Sequence, residues 1–236
     1  MLLPGPLRSI LRGKGSPPGE SGAPQPAGAG SAPSPARQPG GEDAIVTRPS
    51  RGLEEFFSYI RDQSGLTILD LGGATQQNVS FITNLGHRLY SENFLQILRE
   101  TFGADGTEDQ SNPGRIEYFL RQTLDYQEDQ FDGVLIWDVL EYLAPALLAA
   151  VVDRLHKIVR PRGYMMAFFH ADDKLETVPI YTFRIEEKNA LQVAREGVRR
   201  PVQLFNNRSL ERLFGGFESV KFFLTRERLR ELIVKV

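Results

Sequence analysis

The sequence predicts an α/β fold built on a doubly wound, mostly parallel sheet, and three observations lead there. Short apolar runs that end in glycine or a polar residue alternate with amphipathic helical stretches from Arg51 onward, the pattern of a sheet covered on both faces. All 15 Phe, 7 Tyr and the single Trp lie beyond residue 50, leaving 186 residues of core-forming chain. The last two strand-like runs, Ser219 to Leu224 and Glu231 to Val236, are joined too closely for a crossover, so they must be antiparallel at one edge.

Each element has its own local reason. Leu53, Phe56, Phe57 and Ile60 recur at helical spacing, with charged residues opposite, until Ser64-Gly65 ends the helix. LTILDLGG then reads as a buried strand, Asn78 to Leu85 as a helix closed by Gly86, and HRLYSEN as the next strand. Phe94 to Phe102 is helical, Gly103 to Gly114 a polar loop, and Arg115 to Gln122 fits helix better than strand. FDGVLIWD, from Phe131 to Asp138, is the clearest strand, followed by a helix from Ala146 to Val159 and the buried strand YMMAFFH. Tyr181 to Val193 alternates loosely, and Ser209 to Phe214 is a helix that Ser209 is expected to cap.

The first 50 residues differ in kind. They hold 10 of the 15 prolines and 9 of the 22 glycines, and no aromatic residue, so they cannot bury enough apolar surface to offset ordering entropy. Residues 1–50 are expected to be a disordered Pro/Gly/Ala-rich tail and residues 51–236 the folded domain. Zero cysteines exclude a disulfide scaffold, a thiolate metal site and a thiol nucleophile, and fit a cytoplasmic location. Residues 51–183 carry 11 basic and 20 acidic side chains, a net −9, which favours a small-molecule ligand over nucleic acid. Residues 184–236 carry 12 basic and 7 acidic, a net +5. No apolar run is long enough to span a membrane.

In an open parallel sheet, ligands bind beyond the carboxyl ends of the strands. Four such ends are legible. Asp70-Leu71-Gly72-Gly73-Ala74-Thr75 offers a backbone that can approach a ligand and a helix N-terminus behind it. Ser91-Glu92-Asn93 places a carboxylate where it can accept from a pair of ribose hydroxyls. Leu124-Asp125-Tyr126 sets a polar group beside an aromatic, and Trp137-Asp138 ends the strongest strand. His170 ends the last parallel strand, ahead of Asp172, Asp173 and Glu176; the loop spacing does not converge on a metal, and none is expected. No nucleophile elbow or phosphate-binding loop is present.

Four segments, LTILDLGGATQQN, GHRLYSEN, LDYQEDQFDGVLIWDVLEYLAP and LHKIVRPRGYMMAFFH, resemble successive motifs of class I S-adenosylmethionine-dependent methyltransferases, of the type 11-like kind. The resemblance runs from about Gly52 to the C-terminus. It implies a Rossmann-like, seven-stranded sheet of order 3-2-1-4-5-7-6 with strand 7 antiparallel, S-adenosylmethionine as cofactor, and methyl transfer to an acceptor, for which the acidic body favours a small molecule. It also implies residue roles. Asp70, Gly72, Gly73 and Ala74 match the loop around the cofactor's amino-acid part, Glu92 with Asn93 the ribose position, and Asp125 with Tyr126 the adenine segment. Asp138 matches the polar position on the methyl-donor side. His170 and Asp138 are the candidates for deprotonating an acceptor.

Two departures keep a second reading open. The family's acidic-x-Gly-x-Gly-x-Gly loop here has Ala74 and Gln76 at its later glycine positions, and Gln76 is expected to narrow the pocket. The alternative is a methyltransferase-like binding module without activity. A nicotinamide-dependent oxidoreductase is disfavoured, because Gly72-Gly73-Ala74 lacks the Gly-x-Gly-x-x-Gly spacing.

Overall fold

A computed structural model describes residues 45–225 and 229–236. The N-terminal tail expected over residues 1–50 lies, up to residue 44, outside the described residues. The described residues ahead of Arg51 already belong to the folded domain: Val46–Pro49 forms a strand, β1, and Ser50 caps the first helix by accepting a hydrogen bond from the Leu53 backbone N–H.

The parallel part of the fold follows in four units. Helix α1 (Arg51–Ile60) buries Leu53, Phe56, Phe57 and Ile60 on one face. Strand β2 (Thr67–Asp70) leads through a glycine turn to α2 (Gln76–Asn84), and β3 (Arg88–Ser91) to α3 (Phe94–Phe102). Helix α4 (Pro113–Thr123) opens on Pro113, whose fixed φ suits a first turn, with Asn112 accepting from the backbone behind it. Strand β4 (Phe131–Trp137) continues into a 3-10 turn at Val139–Tyr142, α5 (Pro145–Ile158) and β5 (Val159–His170).

After β5 the chain makes a long hairpin, β6 (Val178–Glu187) and β7 (Ala190–Arg199), then α6 (Asn207–Leu213) and the strands β8 (Ser219–Leu224) and β9 (Leu229–Lys235). The cap of α6 is Asn206, whose side chain accepts from the Ser209 backbone N–H; Ser209, expected as the cap, sits one turn inside.

Two sheets result. The larger has the order β3-β2-β4-β5-β9-β8, with β3, β2, β4 and β5 parallel and β9 antiparallel to both β5 and β8. Six strands are present among the described residues, not seven. The segment between α3 and β4, where an outermost strand would fall, forms a loop and α4 instead. Asn112 and Pro113 start a helix there, and Phe119 and Thr123 are buried from it. The smaller sheet, β1-β7-β6, is wholly antiparallel.

Alternation along the strands builds a core on each face of the large sheet. Leu69, Val134, Ile136, Met165 and Ala167 point to the side of α3, α4 and α5. Ile68, Leu135, Trp137, Met166 and Phe168 point to the side of α1, where Phe183, Ile185 and Leu191 of the small sheet join them. The β6–β7 hairpin therefore packs over one end of the sheet rather than extending it. Asn78, in α2, fixes that packing: its amide donates to the Phe183 carbonyl at 3.3 Å and accepts from the Ile185 N–H at 2.8 Å.

Candidate active site

A cavity of about 370 Å³ opens at the carboxyl ends of β2, β3 and β4, beneath strand β6. That volume lies within the range of small-molecule sites, roughly 300–1,000 Å³. Gly72, Gly73 and Ala74 form one wall, Asn93 and Arg99 a second, Asp138 the floor, and β6 the roof through Tyr181 and Arg184.

The glycine loop is shaped by Asp70. Its carboxylate is fully buried and accepts from the Gly72 N–H at 2.8 Å, the Asn78 amide at 3.2 Å and the Trp137 indole N–H at 2.6 Å. Burial raises its pKa, and the three donors oppose that rise. A Cβ on residue 72 would stand 2.6 Å from the Trp137 ring, and Gly73 has φ +88°, so neither position tolerates a side chain without rearrangement. Thr75 then caps α2, accepting from the Asn78 N–H. Gln76, expected to narrow the pocket, does not: it is exposed, absent from the cavity wall, and donates to the Ser80 hydroxyl at 3.0 Å.

At the end of β4, Trp137 adopts φ +59° and its ring lies parallel to Phe183 at 5.1 Å and Phe168 at 6.0 Å. Holding a bulky residue there costs roughly 1–3 kcal/mol, which the stack and the bond to Asp70 offset. Asp138 follows, 2 % exposed, and its Oδ2 has no hydrogen-bond partner. Burial, then the charge of Glu141, pushes its pKa up to about 7; His170 and Arg48 act in the opposite sense.

Behind this floor lies a pair that sequence reasoning missed in part. Glu141 is fully buried; one oxygen accepts from the His170 backbone N–H at 2.8 Å and the other meets His170 Nδ1 at 2.6 Å. His170 is itself buried, with Nε2 unpartnered, and its ring faces that of Tyr181 at 6.2 Å. Tyr142 is buried under the Arg199 guanidinium, 4.5 Å from its ring, and burial raises its pKa.

The sequence-predicted residues thus separate. Gly72, Gly73, Ala74, Asn93 and Asp138 share the cavity wall, with Asp70 directly beneath. Glu92, Asp125 and Tyr126 lie off it. The Tyr126 hydroxyl donates to Glu92, and burial, together with that carboxylate, raises the tyrosine pKa. Asp125 is exposed and pairs with Arg154 at 3.6 Å. Asp125 and Tyr126 follow α4 rather than a strand, which is why they do not converge with the other strand ends. His170 stands one layer behind Tyr181. Asn78, the bond from Trp137 to Asp70, Glu141 and the β6 roof were not anticipated.

No family model matches the chain, and no curated protein sequence matches it. Solved structures to which it is similar include a 1,6-didemethyltoxoflavin-N1-methyltransferase from Burkholderia thailandensis, bound to 1,6-didemethyltoxoflavin and S-adenosylhomocysteine. That likeness is at 14% identity and a TM-score of 0.43, over 78% of this chain and 76% of that one. A SAM-dependent methyltransferase from Methanosarcina mazei is similar at 13% identity and a TM-score of 0.44, over 76% and 96%. A glycopeptide N-methyltransferase complexed with S-adenosylmethionine is similar at 14% identity and a TM-score of 0.43, over 85% and 99%.

Proposed function

We propose that the chain is an S-adenosylmethionine-dependent methyltransferase acting on a small-molecule acceptor. The observation that supports this most is the cavity itself. It sits where a parallel β3-β2-β4-β5 sheet, flanked by the reversed strand β9, brings the Gly72–Ala74 loop, Asn93 and the carboxylate of Asp138, whose Oδ2 has no partner, around one space. A positively charged sulfonium and an α-amino group suit an acidic floor, and a helix N-terminus behind the glycines suits a carboxylate. When bound, that cofactor supplies an activated methyl group, so the protein need supply chiefly alignment, an effect that reaches roughly 7–11 kcal/mol in favourable cases.

The chain's own residues divide that task. Gly72 and Gly73 let the backbone approach; Asp70 holds the loop from below; Asn93 and Arg99 close one side; Trp137 and Phe183 exclude water. Glu92, Asp125 and Tyr126 lie off the cavity wall, so their assignment to the ribose and base requires that Glu92 exchange the Tyr126 hydroxyl for those of the ribose. The cytoplasm is the compartment proposed for this reaction. Among the described residues no helix is long and apolar enough to cross a membrane.

Calorimetric titration with S-adenosylmethionine and S-adenosylhomocysteine tests the cofactor assignment; saturable heat is expected, and none at millimolar ligand would refute it. Glu92→Ala is expected to weaken binding by about 1–3 kcal/mol through lost charged hydrogen bonds. Binding without transfer to any acceptor would favour the inactive-module reading, for which Ala74 in the loop is the supporting feature.

A further inference from the structure

Three titratable side chains converge behind the cavity floor, and methyl alignment uses none of them for a proton. Asp138 lines the cavity and keeps a buried oxygen, Oδ2, without a partner. Glu141 and His170 are locked to each other through two contacts, at 2.8 and 2.6 Å. The walls beside them are aromatic: Trp137, Phe183 and Tyr181 all border the cavity, and the first two lie nearly parallel, 5° apart.

We propose that Asp138 is the proton acceptor for the hydroxyl of a flat hydroxyarene that is methylated on oxygen, and that Glu141, fixed in place by His170, is the positioning residue that keeps this carboxylate basic. The proposal rests on the cofactor reading above. A neutral hydroxyl is a poor nucleophile, so a base within reach of its proton is required, and a buried carboxylate titrating near neutrality suits the role. In the step, the acceptor O–H bond breaks and its proton passes to the Asp138 carboxylate. The oxygen's electron pair forms the new O–CH3 bond. The C–S bond of the methylsulfonium donor breaks, and its electron pair returns to sulfur. The donor's positive charge and the carboxylate's negative charge vanish together, leaving a neutral thioether and a protonated Asp138.

Why Asp138 rather than the other acids follows from its surroundings. Asp70 already accepts from three donors, and Glu141 is held by His170. The charges facing Asp138 come from every element packed on it: Glu141 from the 3-10 turn, His170 from β5 and Arg48 from β1. Tyr142 lies within electrostatic reach, and Arg230 of β9 faces Glu141 in turn. Glu141 and burial raise the Asp138 pKa, whereas His170 and Arg48 lower it, and the balance is about 7.

4-Nitrophenol is the probe, because its phenolate absorbs where the phenol does not. With the full-length wild type near neutral pH, more phenolate than in buffer is expected, and Asp138→Asn loses most of that excess. Glu141→Gln removes the like charge, so the carboxyl resonance of Asp138, followed by 13C NMR, titrates at lower pH than in wild type. A role in folding alone would not move that midpoint. The proposal is overturned if wild type raises no phenolate, if Asp138→Asn raises as much, or if the Asp138 carboxyl titrates in the ordinary aspartate range. The phenol measurement is made without S-adenosylhomocysteine, so calorimetry with that ligand reports separately on the cofactor reading.

Discussion

Two aspartates end neighbouring strands of the same sheet, both buried, and they have opposite fates. Asp70, at the end of β2, is met by three donors and spends every one of them on shape: the Gly72 turn, the Asn78 clamp on β6 and the orientation of Trp137. Asp138, one residue beyond β4, is equally enclosed yet keeps an oxygen with no donor. A buried carboxylate with its hydrogen bonds made is architecture; one left without them destabilises the fold and survives where a ligand or a proton completes it. The difference separates the scaffold of this site from its chemistry.

The largest way to break that contrast is Asp70→Ala. It removes the acceptor of three hydrogen bonds and leaves the buried Trp137 indole N–H without a partner, at roughly 1–3 kcal/mol for that donor, and is expected to destabilise by about 3 kcal/mol in all, measured by urea unfolding. Asp138→Asn is expected to do the reverse, and only at high pH. The folded pKa, about 7, lies above the ordinary aspartate value, so the folded state holds a proton that the unfolded chain has lost. Wild-type stability therefore falls as pH climbs from about 4 to about 7 and stays low above that. Asp138→Asn removes the penalty, a gain on the order of 2–3 kcal/mol at about pH 9 with little change at about pH 4. Equal pH profiles for the two proteins would erase the distinction between the aspartates.

Asn78→Ala releases Asp70 and the β6 backbone together; a loss of about 2 kcal/mol is expected, with faster amide exchange at Ile185. Trp137→Phe keeps an aromatic ring against Phe183 but removes the bond to Asp70 and the volume of the second indole ring. About 2 kcal/mol is expected from the two together, read by thermal unfolding.

The parallel core was legible because its signals are local: strand β4 reads as seven consecutive sheet residues, and α3 begins and ends where its apolar spacing does. The β6–β7 roof was not. Its alternation marks strands, but nothing in the sequence says that β1, some 140 residues earlier, is their partner. The missing outer strand failed for a related reason, since Asn112-Pro113 is a helix start that a family pattern of strands overrides on paper but not in the chain. Within the site, glycines and strand-end acids announced themselves by position. Asn78, Glu141 and the engagement of Glu92 by Tyr126 depend on contacts across 29 to 107 residues, which spacing does not encode.

Trp137 is the only tryptophan in the chain and lines the cavity, so its fluorescence reports directly on that space. Titrating the full-length protein with S-adenosylmethionine should change its emission saturably, with the same dissociation constant that calorimetry gives. Calorimetric binding that leaves Trp137 emission unchanged, or no binding by either method, would contradict the assignment of this cavity as the methyl-donor site.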